Sequence, residues 1–140
     1  MSVRVMLVRD GRPPSQNPVD NPQAVYRLLK RRCQRADREY LWRIDLDARS
    51  RAIDIEVVSI GTLSASLIHP REVWKGAILA NAAGIIVAHC HPSGDCSPSE
   101  EDRAATRRLK AAGDLVGIPL LDHVIVTAAG YFSFKEQGLL

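Results

Sequence analysis

Apolar and polar positions along the chain fall into short blocks whose period switches between about 2 and about 3.6 residues. Val3, Val5 and Leu7 alternate with other residues and read as a short first strand. Residues 9–20 carry Gly11, Pro13, Pro14 and Pro18, a loop that no regular element tolerates. Asn21 followed by Pro22 is an N-cap with proline at the first helical position. Val25, Leu28, Leu29 and Cys33 then recur at helical spacing, predicting a helix from Pro22 to Gln34 with Arg27, Lys30, Arg31 and Arg35 on its wet face.

Strand-like alternation returns from Glu39 to Leu46 and from Ala52 to Ile60, and Asp47-Ala48-Arg49-Ser50 between them makes a hairpin turn. Pro70 leads into a second helix, Arg71 to Ala82. The run Gly84-Ile85-Ile86-Val87-Ala88 is wholly apolar, as in a strand buried on both faces. Ser99 opens a third helix, Glu100 to Ala112, with Gly113 as its breaker. Leu120 to Thr127 and Tyr131 to Phe134 complete the strands around an Ala129-Gly130 turn. The order predicts an α/β chain of the α+β type, its mixed sheet built largely from antiparallel neighbours.

Composition narrows the class without choosing a function. At 140 residues with 46% apolar content the chain supports one domain with its own core, and aromatics at 5% leave aliphatic side chains to fill it. A net charge of +3 does not argue for nucleic acid, and the Arg27–Arg35 cluster reads as a solvated helix face. The N-terminus lacks the long apolar region of a secretory leader, and no stretch approaches a membrane span. Cys33, Cys90 and Cys96 are odd in number and show no paired spacing, so free thiols in a reducing cytoplasm are expected.

The chemistry concentrates in His89-Cys90-His91-Pro92-Ser93-Gly94-Asp95-Cys96-Ser97-Pro98-Ser99-Glu100-Glu101-Asp102. On an extended backbone His89 and His91 project to the same side, and Cys90 points away. Two imidazoles and one carboxylate are the donor set of a catalytic zinc with an open position. Ser99 and Asp102 also match a capping box, a structural pattern compatible with ligation. Cys96, close by, is an alternative thiolate ligand.

The spacing His-x-His, seven residues, Ser, two residues, Asp resembles the JAMM (MPN-plus) metalloprotease signature, and the longer text resembles the RadC family within that group. The matching stretches are Gly61-Thr62-Leu63-Ser64-Ala65-Ser66, His69-Pro70-Arg71-Glu72, His91-Pro92-Ser93-Gly94, Pro98-Ser99, Thr106-Arg107-Arg108-Leu109 and Leu121-Asp122-His123-Val124-Ile125-Val126. This resemblance implies a cytidine-deaminase-like JAB/MPN fold over residues 19–140, about three helices flanking the sheet, after an N-terminal strand and Pro-rich loop over 1–18. It implies one zinc ion per chain, with His89, His91 and Asp102 as ligands, Glu39 as general base and Ser99 steadying an oxyanion. Cys90 departs from the Asn usual between the two histidines, which puts that residue's hydrogen bond in doubt. The short span implies a form without the family's N-terminal helix-hairpin-helix domain.

By that resemblance the chain is expected to be a metallopeptidase or isopeptidase acting on a peptide or protein substrate. A DNA-repair or recombination accessory that binds DNA or a replication partner around a non-catalytic zinc is the alternative. A metal-free MPN interaction module is disfavoured by the intact ligands. Self-association into a homo-oligomer through exposed sheet edges is a further expectation. His69 reads as structural; Asp122-His123 reads either as a satisfied buried pair or as a group orienting a ligand.

Overall fold

In the computed structural model, which describes residues 1–6, 8, 10–61 and 68–140, one five-stranded sheet carries helices on both faces. The elements are α1 (Pro22–Gln34), β1 (Tyr40–Leu46), β2 (Ala52–Ile60), α2 (Pro70–Leu79), β3 (Gly84–Cys90), α3 (Glu100–Val116), β4 (Leu120–Val126) and β5 (Tyr131–Ser133). The strand order is β2-β1-β3-β4-β5, and only β3 and β4 run parallel, joined by the α3 crossover. Leu7 and the stretch Thr62-Leu63-Ser64-Ala65-Ser66 lie outside the described residues.

Side-chain alternation along the sheet decides which helix packs where. Ile86, Ala88 and Cys90 of β3 join Trp42 and Ile44 of β1 in a cluster closed by Val25, Leu29 and Cys33 of α1. Ile85 and Val87 face the opposite way and meet Val73, Trp74 and Ala77 of α2 with Ala105 and Leu109 of α3. Because β3 is buried along its full length, it reads as an apolar run rather than an alternating one.

Local signals explain the ends of the helices. The Asn21 side chain accepts the Ala24 N–H at 2.8 Å, so α1 starts where the Asn-Pro pair predicts. The third helix continues past Gly113 to Val116, and Gly117 caps it with φ 84°. Gly113 is therefore a packing residue and not a breaker. A Cβ there would lie 2.8 Å from the Ile118 carbonyl oxygen and 2.8 Å from Trp74 Cζ2. The close approach lets the Trp74 indole donate to the Ile118 carbonyl at 2.9 Å, tying α2 to the end of α3.

Two further expectations are corrected. The described residues of the first segment form no strand: Val3 and Val5 are exposed and have neither a partner ladder nor a core to cover them. Cys33 and Cys90 are not free thiols but a disulfide between α1 and β3, with Cα atoms 5.7 Å apart. Their separation of 57 residues hides the pairing from any local spacing rule. Cys96 is free.

Beneath α2 lies a buried ion cluster. Arg43 and Asp45 of β1 share a two-pronged contact at 2.7 and 2.9 Å, and Arg43 also donates to Glu56 at 2.6 Å and to the Val73 carbonyl at 3.0 Å. Gly76 sits over this guanidinium, where any side chain would strike it. The cluster fixes α2 against the β1–β2 hairpin on the face that carries the imidazoles.

Candidate metal centre

The centre forms where β3 ends. His89 is the penultimate residue of that strand, on the face of Ile85 and Val87, and Cys90 turns to the α1 face. His91 follows just past the strand, and the two imidazole rings lie 4.6 Å apart at 84°. Leu41 pairs with His89 across the β1–β3 ladder. Glu39, two residues before Leu41, consequently approaches the same imidazole, with Oε2 3.7 Å from His89 Nε2.

The opposite wall is the first turn of α3. Ser99 Oγ accepts the Asp102 N–H at 3.0 Å and Asp102 Oδ2 accepts the Ser99 N–H at 2.8 Å, a complete capping box. So held, Asp102 places Oδ1 3.3 Å from His89 Nδ1 and Oδ2 3.4 Å from His91 Nε2. The capping box that opens α3 thus aims the Asp102 carboxylate at both imidazoles.

Charge and tautomer follow from these contacts. Burial alone would push the Asp102 carboxyl up, but the imidazoles of His89 and His91 and the Ser99 amide hold it well below the usual carboxylate range. Asp102 raises the His91 imidazole above its ordinary value, against the opposing effect of burial. His91 Nδ1 lies 2.9 Å from the Asp95 carbonyl oxygen, an acceptor only, so this nitrogen carries a proton and Nε2 is the nitrogen left to face Asp102, as a donor when the ring is protonated or as a ligand to a cation. The Asp95 carbonyl is a contact that spacing did not reveal, because it is a backbone group in a loop. The Asx turn that sets it is legible: Asp95 Oδ1 accepts the Ser97 N–H at 2.9 Å.

Whether a cation fits can be judged from the donors. Both ring nitrogens of His89 are buried and make no hydrogen bond among the described residues, although carboxylate oxygens stand on either side. A buried imidazole that makes no hydrogen bond is costly unless something else binds it. One donor atom each from Glu39, His89 and His91 falls within 4.8 Å of the others. The 3.4 Å from His91 Nε2 to Asp102 Oδ2 is also close to the edge, about 3.4 Å, of a tetrahedron with zinc-like arms. The residues fit a small divalent cation. Glu39, His89, His91 and Asp102 are thus gathered in one place, with Glu39 in the geometric triad and Asp102 touching both imidazoles.

The other singled-out residues sort clearly. His69 is exposed at the N-cap of α2 and makes no side-chain cap, well removed in role from the ligand cluster. Asp122 is caged by the Ser133 hydroxyl at 2.6 Å and the amides of His123 and Lys135 at 2.7 and 3.0 Å, while burial raises its carboxyl. His123 lies 6.4 Å from the His89 ring, stacked on Phe134. Cys96 is half-buried in the loop after His91. Arg27, Arg31 and Arg32 are exposed on α1, across the sheet from the imidazoles.

Comparison with known proteins gives the family. The RadC-like JAB domain signature matches residues 19–139. The chain belongs to the RadC family. The RadC chain is 52% identical over 120 residues to a UPF0758 protein of Symbiobacterium thermophilum, covering 86% of this chain and 51% of that one. It is 47% identical over 130 residues to a UPF0758 protein of Rubrobacter xylanophilus, covering 93% and 57% respectively. A UPF0758 protein of Thermotoga maritima is 53% identical over 104 residues, covering 74% of this chain and 47% of its own length. This RadC domain spans about half the length of the curated relatives it matches. The mixed sheet with three helices is the α+β architecture of a JAB/MPN domain. Among the described residues no helix is long and apolar enough to cross a membrane.

Proposed function

We propose that this RadC domain is a zinc-dependent hydrolase of amide bonds, peptide or isopeptide, with His89, His91 and Asp102 holding the ion. The observation that carries the reading is the buried His89 imidazole, both nitrogens without hydrogen bonds, set between the carboxylates of Glu39 and Asp102. A zinc ion bound there supplies a Lewis acid and brings the pKa of water to about 7.

Each side chain has a distinct task. The Asp95 carbonyl fixes the His91 tautomer that offers Nε2 as a ligand. Asp102 contributes negative charge from a rigid helix start. Glu39, at the open side with 31% of its side chain exposed, takes a proton from the attacking water and delivers it to the leaving amine. Ser99 Oγ accepts from the Asp102 amide, so its own hydroxyl proton is available to a substrate carbonyl oxygen as charge builds on it.

Metal analysis combined with peptide-library cleavage tests this. One zinc per chain is expected, with retention lost in His89→Ala and in Asp102→Ala. Glu39→Gln should keep zinc and cleave nothing; a variant that loses zinc would make Glu39 a ligand and remove the base assignment. A chain that stays metal-free in saturating zinc would refute the reading.

A further inference from the structure

Cys90 separates the two clustered imidazoles in the chain, yet its sulfur lies on the other face of the sheet, bonded to Cys33 in the last turn of α1. One acceptor connects this pair to the site. The Val126 carbonyl of β4 accepts the His91 N–H at 3.1 Å, and Cys33 Sγ lies 3.3 Å from the same oxygen. As a disulfide, Cys33 has no proton to offer, so the carbonyl serves His91 alone. As a thiol, Cys33 becomes a second donor to that oxygen, and Cys90 Sγ has the Cys33 carbonyl 3.8 Å away. The pocket satisfies both redox states, and what differs between them is the sharing of the Val126 oxygen.

We propose that the Cys33–Cys90 pair is a redox-responsive clamp on the metal centre, its disulfide form tightening the hold of His91 on the ion and its dithiol form loosening it. The clamp rests on the metal reading above. His91 is the first residue beyond β3, and its amide bond to Val126 closes the β3–β4 ladder at the Cys90–Val126 pair. Weakening that bond frees the backbone that aims the half-buried His91 imidazole, while His89 stays fixed in the strand.

The chemistry balances against a small-molecule disulfide such as oxidised glutathione. Cys33 and Cys90 give up two electrons and two protons as their S–S bond forms, and the glutathione S–S bond breaks to yield two thiols. Cys33, at 4% exposure against 0% for Cys90, meets the oxidant first when the end of α1 opens, and Cys90 then attacks the Cys33 sulfur of the mixed disulfide and expels the second glutathione as a thiol.

Competition with a chromophoric chelator measures the zinc affinity of the chain, in a Cys96→Ser background, after equilibration in oxidised or reduced glutathione. Reduction should weaken zinc binding about tenfold, the scale of outer-shell effects on metal sites, and speed exchange of the His91 amide. Cys33→Ala, which neither cross-links nor donates, should hold zinc tightly in both buffers. Cys90→Ala, which keeps the Cys33 thiol, should bind weakly in both. A pair that stays reduced in oxidised glutathione, or equal affinities for the two forms, overturns the clamp alone. A chain that takes up no zinc in either buffer overturns the clamp together with the metal reading.

Discussion

Thr106 Oγ1 and His123 Nδ1 meet at 2.6 Å in the interior, and the same hydroxyl lies 2.6 Å from the Asp102 carbonyl oxygen. A threonine hydroxyl has one proton. If it goes to the Asp102 carbonyl, His123 Nδ1 must donate to the hydroxyl oxygen, leaving Nε2 as a bare lone pair that finds no partner among the described residues. Either way the ring is neutral, and burial pushes its pKa down to about 3, reinforced by repulsion from His89 and partly opposed by Asp102.

A pH dependence of stability follows. His123 is protonated more readily unfolded than folded, so its contribution is complete above about pH 6.5 and is lost as pH falls toward about 3. Thermal melts of metal-free protein between pH 7 and pH 4 should fall more steeply for the parent than for His123→Gln. The comparison cancels the common contributions of the other groups, including the oppositely shifted His91. Equal slopes would show that His123 titrates normally.

Removing Arg43 should expose the cost of a buried carboxylate. Asp45 is fully buried, and burial raises its carboxyl even with the guanidinium beside it. Arg43→Met should therefore lose about 3–5 kcal/mol at pH 7 in denaturant titrations. The loss should shrink as pH falls, because burial raises the Asp45 carboxyl and lets it take up a proton. A pH-independent loss would point to packing instead of charge.

Gly113→Ala tests the helix that breaks its own composition rule. Helix propensity favours alanine by about 1 kcal/mol. The new methyl would nevertheless press on the Ile118 carbonyl and the Trp74 ring at 2.8 Å each, and backbone cannot swing aside. Net destabilisation of about 1–2 kcal/mol is expected by chemical denaturation, since overpacking typically costs about 1–3. A stabilised variant would mean that α2 and α3 separate easily.

The disulfide should also stabilise the fold itself. Closing a span of 57 residues restricts the unfolded chain by about 4 kcal/mol. Metal-free protein should unfold at a markedly lower midpoint in reductant, and Cys33→Ala should match the reduced parent to within about 1 kcal/mol, since single-site effects on packing are of that size. Identical midpoints with and without reductant would deny the cross-link a stabilising role.

Much of this was legible in the text of the chain, for reasons that can be stated residue by residue. Asn21-Pro22 and the 3.6-residue apolar recurrence placed α1 from Pro22 to Gln34, as observed, because cap and period agree. The β2 bounds likewise coincide with the alternation from Ala52 to Ile60. The end of α3 did not, since a glycine in sequence cannot be told from a breaker until Trp74 is seen against it. The Val3–Val5 alternation failed because period 2 says nothing about whether a partner strand exists. At the centre, side-chain identities and spacing marked His89, His91, Ser99 and Asp102, and the register Leu41–His89 explains why Glu39 joins them. The Cys33 cross-link, the Asp95 carbonyl and the Val126 acceptor depend on tertiary approach, which spacing does not encode.

The α3 crossover has one last consequence. Donor groups come from the tail of β3 and the head of α3, with a further carboxylate just ahead of β1, so no short peptide cut from this chain holds the full set. The three proposed ligands lie together within residues 89–102, so what pairing of β1 with β3 would bring is Glu39, the proposed base. On the proposed reading, hydrolysis and not zinc uptake would mark the completion of that three-way junction during refolding.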